Sequence, residues 1–300
     1  MPTSTTKTTD VPGEKPKPLA RAELFDQMVV ERAGRAAAEH DKLGHGLHEK
    51  TDRRLADLVG AKPGQTCLDI ATATGALAIP LARYVGSEGK VVAIDLAQGR
   101  LDFAARKARA HKVHNIEFKK MDAQHLELED NSFDIVVCSM AIFYFPDIPG
   151  ALQEMMRVLK PGGTLGISTA DAASAFAPLS PTYIARLNKT ADELDIHPPS
   201  YSDDSTLTRQ KAGLKSLLKE AGFADVEVRE EQIPVHFSSF EDWWNYGRGS
   251  TWGDLVLDAM TEDDRADFKE KHADEIKKHF SKDGVKTATP VLFAIARKPE

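Results

Sequence analysis

Short apolar runs alternate with longer amphipathic stretches through the middle of the chain. Five runs, each bounded by turn residues, have the length and composition of buried strands: Thr66–Ile70, 91–94, 116–118, Phe133–Ser139 and 164–168. Between them, helical periodicity is found at 75–85, 97–111 and 149–159. Strands that alternate with helices of this length predict βαβ units, and therefore a parallel sheet that is covered by helices on both faces.

The two ends of the chain follow other patterns. Residues 1–20 are rich in Thr, Pro and Lys, which predicts a disordered tail, and residues 21–55 carry the helical spacing expected of an N-terminal cap. Residues 56–300 are predicted to form one further domain. Two segments interrupt its alternation of strands and helices, at about 170–205 and 238–284, and we interpret both as cap insertions.

The two insertions differ in composition. The first is rich in Ala, Ser, Pro and Asp and has little apolar periodicity, which predicts few buried contacts. Between and after the insertions, a helix is predicted at 208–221 and strands at 224–235 and 289–296. The second insertion carries several aromatic residues, among them Trp243 and Trp244. These either cover an apolar substrate or pack helices against the sheet, and the sequence leaves both interpretations open.

Composition narrows the class of protein. The chain of 300 residues is 41% hydrophobic and 28% charged, which is ordinary for a globular protein. Its net charge of −7 argues against nucleic acid as a partner, because nucleic-acid binding requires a basic face. The sequence contains no apolar run long enough to span a membrane and no apolar leader, and Cys67 and Cys138 are too few for a disulfide framework. We therefore expect a cytoplasmic protein with reduced cysteines, and leave a homo-oligomer open.

The candidate chemistry begins at the end of the first predicted strand. There, Asp69 is followed by a turn of small residues, Ala71, Thr72, Ala73 and Gly75, which leads into a helix. Small side chains let a ligand approach the backbone closely, and a helix N-terminus offers free N–H groups. The dinucleotide fingerprint G-x-G-x-x-G is absent, which disfavours a nicotinamide oxidoreductase.

Residues 67–75 resemble the first motif of the class I S-adenosylmethionine (AdoMet)-dependent methyltransferases, D-x-G-x-G-x-G. They are most similar to the D-x-A-T-G-T-G form of the ubiquinone/menaquinone-biosynthesis C-methyltransferases and their small-molecule relatives, with Ala73 in place of a glycine. Residues 157–163, Arg-Val-Leu-Lys-Pro-Gly-Gly, match the turn before the fifth strand in the same superfamily. The resemblance covers residues 60–168 and, less closely, 208–234. It implies a Rossmann-like α/β fold, with a seven-stranded, mostly parallel sheet, an antiparallel last strand and a helical cap.

The resemblance also implies AdoMet as the cofactor and gives roles to residues at the strand ends. A carboxylate such as Asp95 can accept hydrogen bonds from both ribose hydroxyls, although it could also act as the N-cap of the next helix. In the family, an acid and an alanine after the third strand meet the adenine, and here these are Asp122 and Ala123. The cofactor-binding residues implied in this way are Asp69, Ala71, Thr72, Ala73, Gly75, Asp95, Leu96, Asp122, Ala123 and Ser139.

Candidates for a catalytic base lie near predicted strand ends. Methyl transfer is an in-line displacement, in which the protein aligns the nucleophile, excludes water and, where needed, removes a proton. His236 and Tyr144 are candidates for that proton transfer, but a histidine at a strand end and a tyrosine among apolar residues are also common packing residues. His40, His45 and His48 lie in a polar stretch, for which we predict a solvated segment and no metal site.

These features together predict an enzyme that transfers a methyl group from AdoMet to a small molecule. The acceptor is a specialised or quinone-like metabolite whose reacting atom is carbon, oxygen or nitrogen. Two alternatives share the fold. An enzyme that binds the cofactor but catalyses a non-methylating reaction would form no S-adenosylhomocysteine. A non-catalytic partner protein that resembles methyltransferases would bind no cofactor.

Overall fold

A single sheet forms the centre of the molecule. The computed structural model describes residues 46–170, 179–180, 182–196, 204–248 and 251–300. In these ranges the strands are β1 (Thr66–Ile70), β2 (Lys90–Asp95), β3 (Ile116–Lys120), β4 (Phe133–Ser139), β5 (Leu159–Thr169), β6 (Ala224–Phe237) and β7 (Val285–Arg297). Their order across the sheet is β3-β2-β1-β4-β5-β7-β6.

The strand directions create a crevice at the middle of one sheet edge. β1 is parallel to both β2 and β4, and β3 and β5 continue the parallel sheet outward on either side, whereas β7 is antiparallel to β5 and β6. The predicted sheet, mostly parallel with an antiparallel last strand, is therefore confirmed. Because the strand order reverses between β1 and β4, a crevice opens outside their carboxyl ends, and ligands of open α/β sheets bind in such crevices.

Helices and short turns flank the sheet. The helices of the described ranges are α1 (Leu47–Val59), α2 (Ala78–Val85), α3 (Gln98–Ala110), α4 (Ile148–Val158), α5 (Tyr183–Glu193), α6 (Asp204–Thr208), α7 (Lys211–Glu220), α8 (Phe240–Arg248), α9 (Thr251–Ala259) and α10 (Glu262–Ile276), and the 3-10 turns are Ile142–Tyr144 and Lys277–His279. The four helices predicted at 75–85, 97–111, 149–159 and 208–221 are confirmed, with ends that differ by three residues at most. No helix among the described residues combines the length and the apolar composition that crossing a membrane requires.

Helix α1 packs closely on the sheet face that leads to the crevice. Gly166 of β5 permits this approach, because a Cβ atom there would lie 2.4 Å from Cγ1 of Val59 and 3.4 Å from Cγ1 of Val137. Alternate residues of a strand share one face, so Ser168 of β5 lies on the same face as Gly166, and Ser139 of β4 on the same face as Val137. Both serines therefore lie under α1 at the carboxyl edge of the sheet.

The first cap insertion contains a well-packed helix. Tyr183, Leu187 and Ala191 of α5 are all buried. They are spaced four residues apart and so share one face of the helix. The prediction of few buried contacts in 170–205 is wrong for this described part, because the small and polar residues around that stripe obscured its spacing.

The aromatic residues of the second insertion pack mainly against one another. Trp243 and Trp244 are buried, and the ring of Tyr183 lies edge-on to both, with centroids 5.3 and 6.5 Å away. Phe240 stacks on Trp243 at 5.9 Å, and Phe268 meets Tyr183 at 6.0 Å. These contacts correspond to the packing interpretation, in which the aromatic residues form the interior of the cap.

The N-terminal predictions fall largely outside the described residues. This applies to the tail at 1–20, to residues 21–45 of the predicted cap, and to His40 and His45. Helix α1 begins within the predicted cap and continues past residue 55, because Leu55 and Val59 are both buried on the same helix face.

Candidate functional site

The loop after β1 alternates between left-handed and ordinary backbone. Ala71, Ala73 and Gly75 have φ angles of 57°, 48° and 75°. Only glycine adopts this region without strain, so each alanine costs about 1 kcal/mol. The two alanines are half-buried, whereas Thr72 and Thr74 between them are buried. The loop therefore leaves its two alanines partly accessible at the crevice and turns its β-branched residues inward.

Asp95 joins this loop to the next strand. It is the last residue of β2 and is 5% exposed. Its Oδ2 accepts a hydrogen bond of 2.9 Å from the backbone N–H of Ala73, and its Oδ1 accepts one of 2.9 Å from that of Ala97. The N-cap of α3 is Ala97 rather than Asp95. Each carboxylate oxygen has a further lone pair, so the held carboxylate can accept two more hydrogen bonds.

Asp69 lies beneath the loop. It is 1% exposed, and its Oδ2 accepts a hydrogen bond of 2.6 Å from the hydroxyl of Thr72. Burial raises the pKa of Asp69 to about 8, and the charges of Asp52 and Asp95 raise it as well. Three carboxyl groups from different elements therefore lie close enough to affect one another, and they make the crevice acidic.

The end of β3 adds the remaining predicted cofactor residues. The backbone N–H of Met121 donates to the carbonyl of Asp95 at 3.2 Å, which ties the segment after β3 to the end of β2. Oδ1 of Asp122 accepts a hydrogen bond of 2.9 Å from the backbone N–H of Gln124. Asp122 is half-buried and Ala123 is buried. Leu96, directly after Asp95, is half-buried. The structure thus brings the residues predicted after β1, β2 and β3 to one edge of the sheet.

Two buried residues that sequence reasoning missed meet Ser139 at the end of β4. The hydroxyl of Ser139 donates a hydrogen bond to Oδ1 of Asp52, which lies on α1 and is 6% exposed. Oγ of Ser139 lies 2.7 Å from Oγ of Ser168 in β5. A signal for Asp52 exists in the sequence. It is an acid three residues before Leu55, on the apolar side of an amphipathic helix, where an aspartate is seldom buried without a partner.

The two predicted base candidates lie in different places. Tyr144 is half-buried in the turn Ile142–Tyr144, directly after β4, and so stays beside the crevice. His236 is exposed, and its Nε2 lies 2.9 Å from the carbonyl oxygen of Asp283.

The strand register shows how far His236 lies from the crevice. Leu292 of β7 aligns with Thr169 at the end of β5 on one side and with Glu230 of β6 on the other. His236 follows Glu230 by six residues along β6. Six residues of strand span about 20 Å, so His236 is not brought to the crevice.

Comparison with known proteins identifies the family. The model of the ubiE/COQ5 methyltransferase family matches residues 37–236. The ubiquinone/menaquinone biosynthesis C-methyltransferase UbiE of Cronobacter sakazakii is 30% identical over 214 residues, which are 69% of this chain and 85% of that relative. This chain belongs to the ubiE/COQ5 methyltransferase family. Membership in the ubiE/COQ5 family agrees with the family resemblance of the loop after β1.

Solved structures share the ubiE/COQ5 fold seen here. The YcgJ protein of Bacillus subtilis has a TM-score of 0.55 and 17% identity, covering 84% of this chain and all of its own. Phosphoethanolamine N-methyltransferase 2 of Haemonchus contortus, solved with S-adenosyl-L-methionine, has a TM-score of 0.53 and 17% identity, covering 94% of this chain and 60% of its own. At these identities the likeness concerns the fold.

The family settles the class of activity. The chain is a class I AdoMet-dependent methyltransferase, its cofactor is AdoMet, and it transfers a methyl group to a small molecule. The predictions of fold, enzyme class and cofactor are therefore confirmed.

Proposed function

We propose that this enzyme transfers the methyl group of AdoMet to a ring carbon of a quinol-like aromatic molecule. In this proposal the cofactor lies against the ends of β1, β2 and β3, and the acceptor lies over the ends of β4 and β5. The observation that supports it best is the pair of hydrogen bonds on Asp95, from the N–H groups of Ala73 and Ala97 at 2.9 Å each. They fix a carboxylate beside a loop that a ligand can approach closely.

The residues at this edge fit AdoMet. Asp95 has one lone pair left on each oxygen, which suits the two neighbouring hydroxyls of a ribose. Asp122 and Ala123, one strand further out, suit an adenine by a carboxylate acceptor and a backbone N–H. The left-handed backbone at Ala71 and Ala73 leaves room for the amino-acid part of the cofactor at the switch between β1 and β4.

Electrostatics favour a cationic ligand in the same crevice. Asp69 and Asp95 contribute carboxyl groups, and Asp69 has a pKa raised to about 8 by its burial. A positive charge nearby favours the ionised form of a buried carboxyl group, so we expect Asp69 to lose its proton when the sulfonium binds. We therefore expect the acidic crevice to bind AdoMet more tightly than the product S-adenosylhomocysteine, whose sulfur carries no charge, and this difference favours product release.

The acceptor side follows from the strand order. With the nucleotide part held by the ends of β2 and β3, the ends of β4 and β5 would be left for the acceptor. Ser139 ends β4 there, and Met140, directly after the strand, has a left-handed φ of 51°. We assign carbon as the methylated atom because the relative from Cronobacter sakazakii is a C-methyltransferase of ubiquinone and menaquinone biosynthesis. Quinols are electron-rich aromatic rings, whose carbons beside a hydroxyl are nucleophilic.

The chain's own contribution is mainly alignment. AdoMet supplies the methyl group together with its sulfonium leaving group. Asp95 and the Ala71–Ala73 loop fix the donor end, and the end of β4 fixes the acceptor end. Holding two reactants in line at contact distance removes much of the entropic barrier.

A labelled-methyl assay tests this proposal. The full chain is incubated with methyl-labelled AdoMet and either a 2-alkyl-1,4-naphthoquinol, a 2-alkyl-1,4-benzoquinol, or an unfractionated extract of small metabolites. Asp95→Ala is the site variant. Asp102→Ala is the surface control, since Asp102 is exposed on α3 and accepts a hydrogen bond from Gln98 of the same helix. We expect label in a quinol, lost in Asp95→Ala. Label in the extract but in neither quinol would refute the substrate class and leave methyl transfer intact.

A further inference from the structure

A chain of hydrogen bonds connects three elements on the acceptor side of the crevice. Asp52 comes from α1, Ser139 from the end of β4 and Ser168 from β5. Asp52 is 6% exposed and Ser168 is fully buried. The close packing of α1 over Gly166 brings Asp52 to this position, because Asp52 lies two helical turns before Val59, which contacts Gly166.

The direction of these hydrogen bonds follows from the groups that can donate. The backbone N–H of Met140 donates to Oγ of Ser168 at 3.2 Å. A serine hydroxyl has one proton, and that of Ser139 is donated to Asp52. In the 2.7 Å contact between the two serines, Ser168 must therefore be the donor. These three hydrogen bonds thus point toward the carboxylate, as an ionised Asp52 requires.

We propose that Asp52 is the catalytic base of methyl transfer and that Ser139 and Ser168 position it. This inference rests on the proposed function, because it assigns the proton acceptor for that reaction. Asp69 is a poorer candidate, since it lies beneath the loop and is bonded to Thr72. His236 lies about 20 Å further along the ribbon of β6 and β7.

The step balances in protons and electrons. Asp52 takes the proton of the acceptor's hydroxyl while the neighbouring ring carbon forms its bond to the methyl carbon. The bond between sulfur and that carbon breaks, and its electron pair stays on sulfur, which gives neutral S-adenosylhomocysteine. The methylated ring carbon then loses its own hydrogen as a proton to water, and Asp52 returns its proton to the ring oxygen, so that the aromatic quinol is restored and the net proton goes to solvent.

Paired variants on one helix test the assignment. Asp52→Asn removes the base, and Asp57→Asn is the matched control, because Asp57 is exposed on the same helix and accepts a hydrogen bond from the hydroxyl of Tyr84. Three quantities are measured: single-turnover label transfer, S-adenosylhomocysteine affinity by calorimetry, and thermal stability. Transfer is measured with the 2-alkyl-1,4-naphthoquinol or, if wild type does not methylate quinols, with the metabolite extract.

We expect Asp52→Asn to lower transfer by about 100-fold or more, the range of a general base, with cofactor affinity within threefold of wild type. Asp57→Asn should match wild type in both. Ser168→Ala keeps the carboxylate of Asp52 but removes the hydrogen bond from Ser168 to Ser139, and it should lower transfer by about tenfold. This variant tests the proposal if Asp52→Asn does not fold.

A more acidic acceptor separates proton transfer from a structural role. Fluorine on the distal ring of the naphthoquinol lowers the pKa of its hydroxyl groups, so the loss in Asp52→Asn should shrink with this acceptor. Three results with Asp52→Asn would each overturn the proposal. The first is an equal loss of transfer with both quinols, and the second is a transfer rate within fivefold of wild type. The third is a tenfold loss of cofactor affinity, which would make Asp52 a cofactor-binding residue. Absence of label in every pool with wild type would overturn the base together with the proposed function.

Discussion

Replacement of Asp95 by alanine should change both the stability of the protein and its affinity for the cofactor. Without cofactor, the variant loses the carboxylate that accepts from the N–H groups of Ala73 and Ala97. A hydrogen bond to a charged group contributes about 1.5–3 kcal/mol, and water replaces part of it. We therefore expect the free energy of unfolding to fall by about 2–4 kcal/mol.

The cofactor affinity should fall further. Two ribose hydroxyls lose their shared acceptor, which costs on the order of 1.5–3 kcal/mol, or at least tenfold in the dissociation constant. The loop also loses the anchor that holds Ala73 in its left-handed conformation, which adds to the loss.

Calorimetric titration with AdoMet and urea unfolding measure the two effects separately. The control is Asp102→Ala on α3, whose exposed carboxylate accepts a hydrogen bond of 2.8 Å from Nε2 of Gln98. It should change stability by less than about 0.5 kcal/mol and leave affinity unchanged. Wild-type affinity in a folded Asp95→Ala variant would remove Asp95 from the cofactor site.

Three further predictions concern the loop, the buried acid and the packing of α1. Ala73→Gly should raise the free energy of unfolding by about 1 kcal/mol, since φ is 48°, and change AdoMet affinity by less than about tenfold; a destabilised variant would contradict the strain. Asp69 keeps a proton in the folded state up to a pKa of about 8 that the unfolded chain loses near 4, so stability without cofactor should fall as pH rises between these values. Between pH 5 and pH 8, the free energy of unfolding measured in urea should fall less in Asp69→Asn than in wild type. An equal fall in both proteins would refute the raised pKa of Asp69. Gly166→Ala should cost about 1–3 kcal/mol, because its Cβ would lie 2.4 Å from Val59, and Val59→Ala should recover part of it; a cost that Val59→Ala leaves unchanged would disprove the clash.

The fold and the cofactor edge were predictable because their signals are local. Three parallel strands, β1, β2 and β4, are short apolar runs that carry a distinctive residue at or next to their ends, namely Asp69, Asp95 and Ser139. Parallel strands bring their carboxyl ends to one edge. The small-residue turn after Asp69 carried the family resemblance. The left-handed angle at Ala71 was not predictable, because alanine gives no sign of a backbone that glycine prefers. At Ala73, the glycine of the resembled motif left a positive φ open, and the structure shows one of 48°.

The acceptor side of the crevice was not predictable, because it is formed by contacts between residues that are far apart in the sequence. Asp52 meets Ser139 87 residues later, and only the packing of α1 over Gly166 brings them together. His236 was selected for its residue type and its place at a strand end, but β6 continues past the edge of the parallel strands. The buried stripe of Tyr183, Leu187 and Ala191 was hidden in a segment whose overall composition resembles a loop.

The position of the transferred methyl group tests the central claim most directly. Wild-type enzyme is incubated with AdoMet that carries a carbon-13 methyl group and with the 2-alkyl-1,4-naphthoquinol, and the product is examined by carbon NMR. We predict a signal of a methyl group bonded to the aromatic ring carbon beside the hydroxyl, with one S-adenosylhomocysteine formed per methyl group. A methyl signal bonded to oxygen, or cofactor binding without any transferred methyl group, would contradict the account.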